Sequence, residues 1–242
     1  MDQLRSKDPR VARRALEQLI AQYRYTLYAY IRRRGLAHHD AEDALHDFLL
    51  RLLGAQGLEN AEAKRGRLRG FLGTALGNFL ANWKRNEARR AHVAQELPVT
   101  PLDTEEARYA RERFSLEETP ERVFERKWGH ALMARVMERL KMQCEERKRG
   151  ALFETFRPIL LGGGSLRGHD AAVIASRLGM SEGALRVALL RHLRDYREVL
   201  EDEVRQTVEN PDDVADEIAY LMAVFSPVGG ISDAKRRGAV CE

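Results

Sequence analysis

Along most of the chain, apolar residues recur every three to four positions, the spacing of one face of an α-helix. Pro9 stands at a natural helix start after Asp8, and Val11, Ala15, Leu19, Tyr23 and Leu27 then follow at that spacing. The run Arg32, Arg33, Arg34, Gly35 closes this first helix. The cations suit the negative end of the helix dipole, and glycine suits the left-handed cap. A second helix is predicted from about Asp40 to Leu53, ended by Gly54, with Ala41, Leu45, Phe48, Leu49 and Leu52 inward. After the loop "KRGRLRG", a third runs from about Phe71 to Arg90, with Leu72, Leu76, Phe79 and Trp83 on its core face. Three helices with short connections make a compact bundle.

The pattern weakens from Ala91 to Glu118, which reads as a partly helical linker, and restarts at Thr119 and Pro120, a cap followed by a favoured first helical residue. "LGGGSLRG" breaks the chain again. Beyond it, "DAAVIASRLGMSEGALRVALLRHL" reads as two helices around a tight turn at Gly179, with Ser181 capping the second. Ile174, Ala175 and Leu178 on the first, and Leu185, Leu189, Leu193 and Tyr196 on the second, form the buried stripes. This is helix-turn-helix spacing. A last helix, about Asp212 to Val224, has an apolar face of Ile218, Leu221, Met222 and Phe225. That face must pack on the second domain or on a partner. The expected fold is all-α: two small helical domains joined by a linker, the second containing the helix-turn-helix.

Charge changes the picture more than composition does. With 44% hydrophobic and 32% charged residues in 242, the chain is long enough for one large or two small globular domains. Residues 64 to 90 hold eight Lys or Arg against the single acid Glu87, while residues 201 to 217 hold eight acids against Arg205. A basic block favours polyanions, nucleic acid first among them. The two cysteines, Cys144 and Cys241, match no metal spacing, which fits a reducing compartment. No apolar run reaches membrane-spanning length and the N-terminus has no signal core, so a cytoplasmic protein that does not engage a membrane is expected.

Three stretches carry candidate chemistry. The face of the second turn-helix opposite its stripe presents Ala184, Val187, Arg191 and Arg194, flanked by Arg186 and Leu190. Arginines hold phosphates or guanine edges, and small apolar groups meet thymine methyls. The plain alternative is a helical hairpin with a solvated basic face. On the third helix, Thr74, Asn78, Asn82 and Arg85 share a polar stripe beside Lys64, Arg65, Arg67 and Arg69 and ahead of Arg89 and Arg90. Amide and cationic donors so arranged suit unstacked nucleic acid, although a solvated face reads the same. The stretch "LAHHDAEDALHDFLLRLL" invites a metal reading, with His39, Asp43 and His46 at i, i+4 and i+7. A hydrolytic centre needs ligands converging from elsewhere, and no second cluster offers them. Asp43, His46, Asp47 and Leu50, all outward on the predicted wheel, read better as a docking surface for a basic partner helix. No catalytic residue, metal or cofactor is expected.

Taken in order, "DAEDALHDFLLRLL", "GRLRGFLGTALGNFLANWKRNEARR" and "IASRLGMSEGALRV" resemble bacterial RNA polymerase sigma factors of the extracytoplasmic-function type, in a longer-tailed subgroup. The resemblance implies a first domain over residues 8–92, a linker over 93–118, a helix-turn-helix domain over 119–200 and an acidic extension over 201–242. It implies a protein that is not an enzyme and that binds core RNA polymerase through its β′ clamp helices and β flap. Promoter DNA is the second implied partner and an anti-sigma factor a third. Asp43, His46, Asp47 and Leu50 would meet the clamp helices, with His46 where glutamine is usual. Lys64, Arg65, Arg67 and Arg69 would read the minus-ten element. Asn78, Asn82 and Arg85 would support strand opening, with Asn82 where aspartate is common, and Arg89 and Arg90 would contact DNA. Ala184, Arg186, Val187, Arg191 and Arg194 would meet the minus-thirty-five element, with Ala188 at an often basic place. The rival readings are a helix-turn-helix regulator acting without polymerase and, further off, a metal-dependent hydrolase.

Overall fold

The structure is a computed structural model and describes residues 9–53, 67–86, 103–115 and 118–225. Among these residues the chain is all-helical, with nine α-helices, one short 3₁₀ turn and no strand. In chain order they are α1 (Pro9–Arg33), α2 (His38–Leu53), α3 (Leu68–Asn86), α4 (Asp103–Arg111), α5 (Pro120–Glu146), α6 (Gly150–Leu161), α7 (Ala171–Arg177), α8 (Glu182–Arg205), the 3₁₀ turn Pro211–Asp213 and α9 (Val214–Phe225). None of these helices is long and apolar enough to cross a membrane.

Two compact units divide the chain. One comprises Met1–Ala131 with Arg205–Glu242, the other Leu132–Val204. The last helix, expected to pack on the second domain or on a partner, falls in the same unit as the start of α5, and the boundaries fall within α5 and at the last residue of α8.

In the first unit α1 packs against α2 and α4, and α2 against α3. Tyr23 stacks on Trp128 with ring centroids 3.7 Å apart, and Phe48 of α2 meets Phe79 of α3 at 5.5 Å. Leu27, Ile31, Leu45, Leu72 and Leu76 are fully buried around them, as the apolar spacing predicts. The expected linker is in part a helix, and polar contacts hold it. Glu106 of α4 pairs with Arg32 at 2.9 Å and accepts from the Tyr28 hydroxyl at 2.5 Å. Glu112 pairs with the buried Lys127.

The segment after α8 joins the first unit through the backbone, where Leu68 N–H donates to the Thr207 carbonyl at 2.9 Å. Asn210 caps the 3₁₀ turn by accepting from the Asp212 amide. Helix α9 buries Val214, Glu217 and Leu221 and leaves Met222 56% exposed, so the predicted apolar face is rotated toward Glu217. Phe225 lies over Gly129 of α5: a Cβ at that glycine would stand 2.6 Å from the phenyl ring. Glycine at 129 is what lets the ring approach the helix backbone.

In the second unit Phe156, Ile159, Ala175, Leu185 and Leu189 form the core, with Leu152, Ile174, Leu178 and Leu193 packed at its edge. Buried Glu203 receives Arg139 at 2.7 Å and also Arg135. Asp170 caps α7, accepting from the amides of Ala172 and Val173. Gly179, at φ +64°, makes the left-handed turn that L side chains rarely adopt, and Ser181 Oγ accepts from the Ala184 amide to start α8.

Candidate nucleic-acid interface

Short α7, the turn at Gly179 and long α8 set two helices against each other through small Ala175, which is 3% exposed. With Leu185 and Leu189 buried beneath it, the other side of α8 faces outward. Ala184, Arg186, Val187, Arg191 and Arg194 are all exposed there, as expected. Leu190 is 67% and Val187 47% exposed. Arg186 pairs with Glu182 at 3.8 Å and Arg194 with Glu198 at 3.7 Å, one helical turn away in each case. Exposed pairs of this kind are worth only about 0.3–0.5 kcal/mol. Separating either arginine from its glutamate thus costs little, so neither is committed to the fold.

On α3 the polar stripe is also presented: Thr74, Asn78, Asn82 and Arg85 are exposed, and Arg85 Nε donates to the Ala81 carbonyl at 3.2 Å. Leu72, Leu76, Phe79 and Trp83 are buried on the opposite side. Lys64, Arg65, Arg89 and Arg90 lie outside the described residues.

Arg67 and Arg69 behave differently from the expectation that placed them at the DNA surface. Arg69 is 9% exposed and lies over the Tyr220 ring, 4.0 Å from its centroid. Its Nε donates to Glu217 at 3.0 Å and its NH1 to Glu125 at 3.1 Å. Burial opposes the charge, but the facing carboxylates outweigh it and hold the guanidinium firmly protonated. Arg67 pairs with the same Glu217 at 3.2 Å. A buried ion pair is broken only at a cost of several kcal/mol, so in this conformation Arg69 offers nothing to DNA. Glu217 of the last helix meets both Arg67 and Arg69, within the first unit.

The acidic helix α2 is split. Asp43 is exposed, while His46, Asp47 and Leu50 are half-buried. Asp47 does not point away from the core as the wheel had it: its Oδ2 accepts from Trp83 Nε1 of α3 at 3.3 Å. The wheel could not show this, because the indole comes from another helix. His39, Asp43 and His46 do not form a group. The residues brought together are His38, His39 and Glu42, whose ligand-type atoms lie within 4.8 Å of one another. His38 Nδ1 also meets the Tyr28 hydroxyl at 2.9 Å, which ties that ring to α1.

Sequence reasoning missed Glu217 as the partner of both arginines and missed His38. It also missed a cavity in the second unit bordered by arginines and by His192. The only signal for Glu217 was an acid among the apolar residues of the last helix, which periodicity alone treats as solvent-facing. Compared with protein-family models, curated proteins and solved structures, the chain finds no match.

Proposed function

We propose that this protein is a transcription-initiation factor of the sigma type. On this reading it binds core RNA polymerase, directs it to promoters and assists strand opening in the cytoplasm, with no catalysis of its own. The observation that carries the reading is the outward face of α8. Its arginines are tied down only by weak exposed pairs, on a helix that follows a capped seven-residue helix and a left-handed glycine turn. We read that pair as a helix-turn-helix, with α8 as its recognition helix. The exposed Asn78, Asn82 and Arg85 stripe supplies donors for separated strands. Asp43, His46 and Leu50 supply the docking surface for polymerase. Arg69 is held by Glu217 and Glu125 and Arg67 by Glu217, so on this reading a contact of either with DNA requires that pairing to break.

A second reading is a duplex-DNA regulator that works without polymerase. It is favoured by one observation: Trp83 engages Asp47, which thins the acidic docking surface. Run-off transcription with purified core polymerase on a promoter library, alongside co-purification with that polymerase, separates the two. Promoter-dependent transcripts that vanish in the Asp43→Lys variant support the sigma reading. Duplex binding without any transcript or co-purified polymerase supports the regulator.

A further inference from the structure

The second unit contains a cavity of about 230 Å³ between α5, α6 and α8. Its border is strongly cationic. Arg147, Arg149 and Arg191 all line it, against the single acid Asp195. Arg147 pairs with Asp195 at 3.2 Å. Among the described residues, Arg149 and Arg191 have no carboxylate within ion-pairing distance. With His192 neutral, the lining carries a net charge of plus two, from three arginines less one aspartate.

His192 forms part of the cavity wall. It is 6% exposed, and its Nε2 is buried with no hydrogen-bond partner. Its Nδ1 lies 3.8 Å from Cys144 Sγ. If the thiol donates its proton to Nδ1, the neutral ring carries its own proton on Nε2, a buried donor without an acceptor. That nitrogen is closed off from solvent, so the polar contacts open to a guest in the cavity are those of the arginines. The remaining lining, Leu152, Phe156 and Ala188, is apolar.

We propose that this cavity binds a small organic phosphate monoester, the phosphate held by Arg149 and Arg191 and the organic group resting on Leu152, Phe156 and Ala188. The charge fits: a phosphate monoester carries about −1.5 to −2 at neutral pH. Arginine forks are the side chains best matched to phosphate oxygens. The volume fits as well. It equals the share of roughly eight waters at ~30 Å³ each, more than a bare phosphate needs. It falls below the ~300–1,000 Å³ of sites for drug-sized ligands. A nucleoside monophosphate or a sugar phosphate is therefore the upper limit of size.

Calorimetric titration of the full-length chain at low salt tests this, with adenosine monophosphate, inorganic phosphate, adenosine and the phosphodiester adenylyl-adenosine as probes. The proposal stands apart from the transcriptional reading, since neither polymerase nor promoter enters the experiment. The expected result is saturable one-to-one binding of adenosine monophosphate, tighter than that of the other three. The double variant Arg149→Ala/Arg191→Ala should weaken it roughly tenfold or more, each charge-assisted hydrogen bond contributing to the loss. Both arginines are exposed and outside any ion pair among the described residues, so far-ultraviolet circular dichroism should show the fold unchanged. No binding of the monophosphate at millimolar concentration, or binding that the double variant leaves unaltered, overturns the proposal. Inorganic phosphate binding equally well overturns the organic subsite. Equal binding of the phosphodiester makes the face a nucleic-acid backbone site and overturns the small-molecule proposal.

Discussion

Arg69 and Arg191 both come from basic stretches and read alike in sequence, yet their surroundings are opposite. Arg69 is 9% exposed, stacked on Tyr220 and clasped by Glu217 and Glu125. Arg191 is exposed on α8 at the mouth of a cavity. A cation taken out of water must be compensated by carboxylates and hydrogen bonds, so Arg69 is committed to the fold. A cation left in water keeps its capacity to bind. The density of Lys and Arg along a chain marks where polyanions could go, and burial decides which of those cations are free to meet them.

Removing the clasp should have the largest effect. Glu217→Ala leaves Arg69 buried with Glu125 as its remaining carboxylate and should cost about 3 kcal/mol, the low end for breaking a buried pair. Urea unfolding measures it. The double variant Arg69→Met/Glu217→Leu should recover most of the loss, because a buried pair is often replaceable by apolar residues of similar volume. A loss from Glu217→Ala no larger than that of a surface substitution would mean that Arg69 is as available as Arg191.

The next effect lies in the second unit, on the element that presents the exposed face. Asp170→Ala removes the acceptor for two amides at the start of α7 and should cost about 1 kcal/mol. The same urea experiment reads it, and an unchanged midpoint would show that the cap does not hold the two-helix arrangement.

A smaller effect follows pH. Burial depresses the pKa of His192 from its ordinary 6.5, and Asp195 opposes the shift only in part. As pH falls below about 6.5 the unfolded chain takes up this proton before the folded protein does, so stability declines with falling pH. The stability of His192→Gln should depend less steeply on pH than that of the wild type between about pH 5 and 7, where histidine ordinarily titrates. Parallel slopes for the two proteins would remove His192 as the cause.

Least of all should stability respond to Arg186→Ala and Arg194→Ala, each within about 0.5 kcal/mol, as for surface substitutions generally. If the α8 face binds duplex DNA as proposed, their affinity should nevertheless fall, with a shallower salt dependence, because each variant has one cation fewer to displace counterions from the phosphates. A large drop in stability with DNA affinity intact would place these arginines with Arg69 instead.

Much of the architecture was legible because it depends on local periodicity. The apolar spacing in α1 to α3 assigned Leu27, Leu45, Leu72 and Leu76 to the core, and all are fully buried. Gly179 announced the turn and Ser181 the following cap, since each acts within a few residues of itself. The helix over residues 103–111 was legible only as a partly helical linker without bounds, because its anchors, Arg24, Tyr28 and Arg32, lie more than seventy residues upstream. Asp47 was misassigned for the same kind of reason, because only packing brings Trp83 to it.

The helical class, most helix starts and stops, the turn before α8 and the exposed basic face that turn presents were all set by the amino-acid order alone. Each follows from side-chain period, capping chemistry or backbone preference, which act over one or two helical turns. Tertiary packing settled the rest: α9 joins the first unit, Glu217 takes Arg67 and Arg69, and Arg191 and His192 border a cavity. These outcomes depend on pairings between residues as much as 148 positions apart. An arginine brings its charge wherever it stands in the chain, but whether that charge is screened by water or matched by a buried carboxylate depends on which distant helix packs over it.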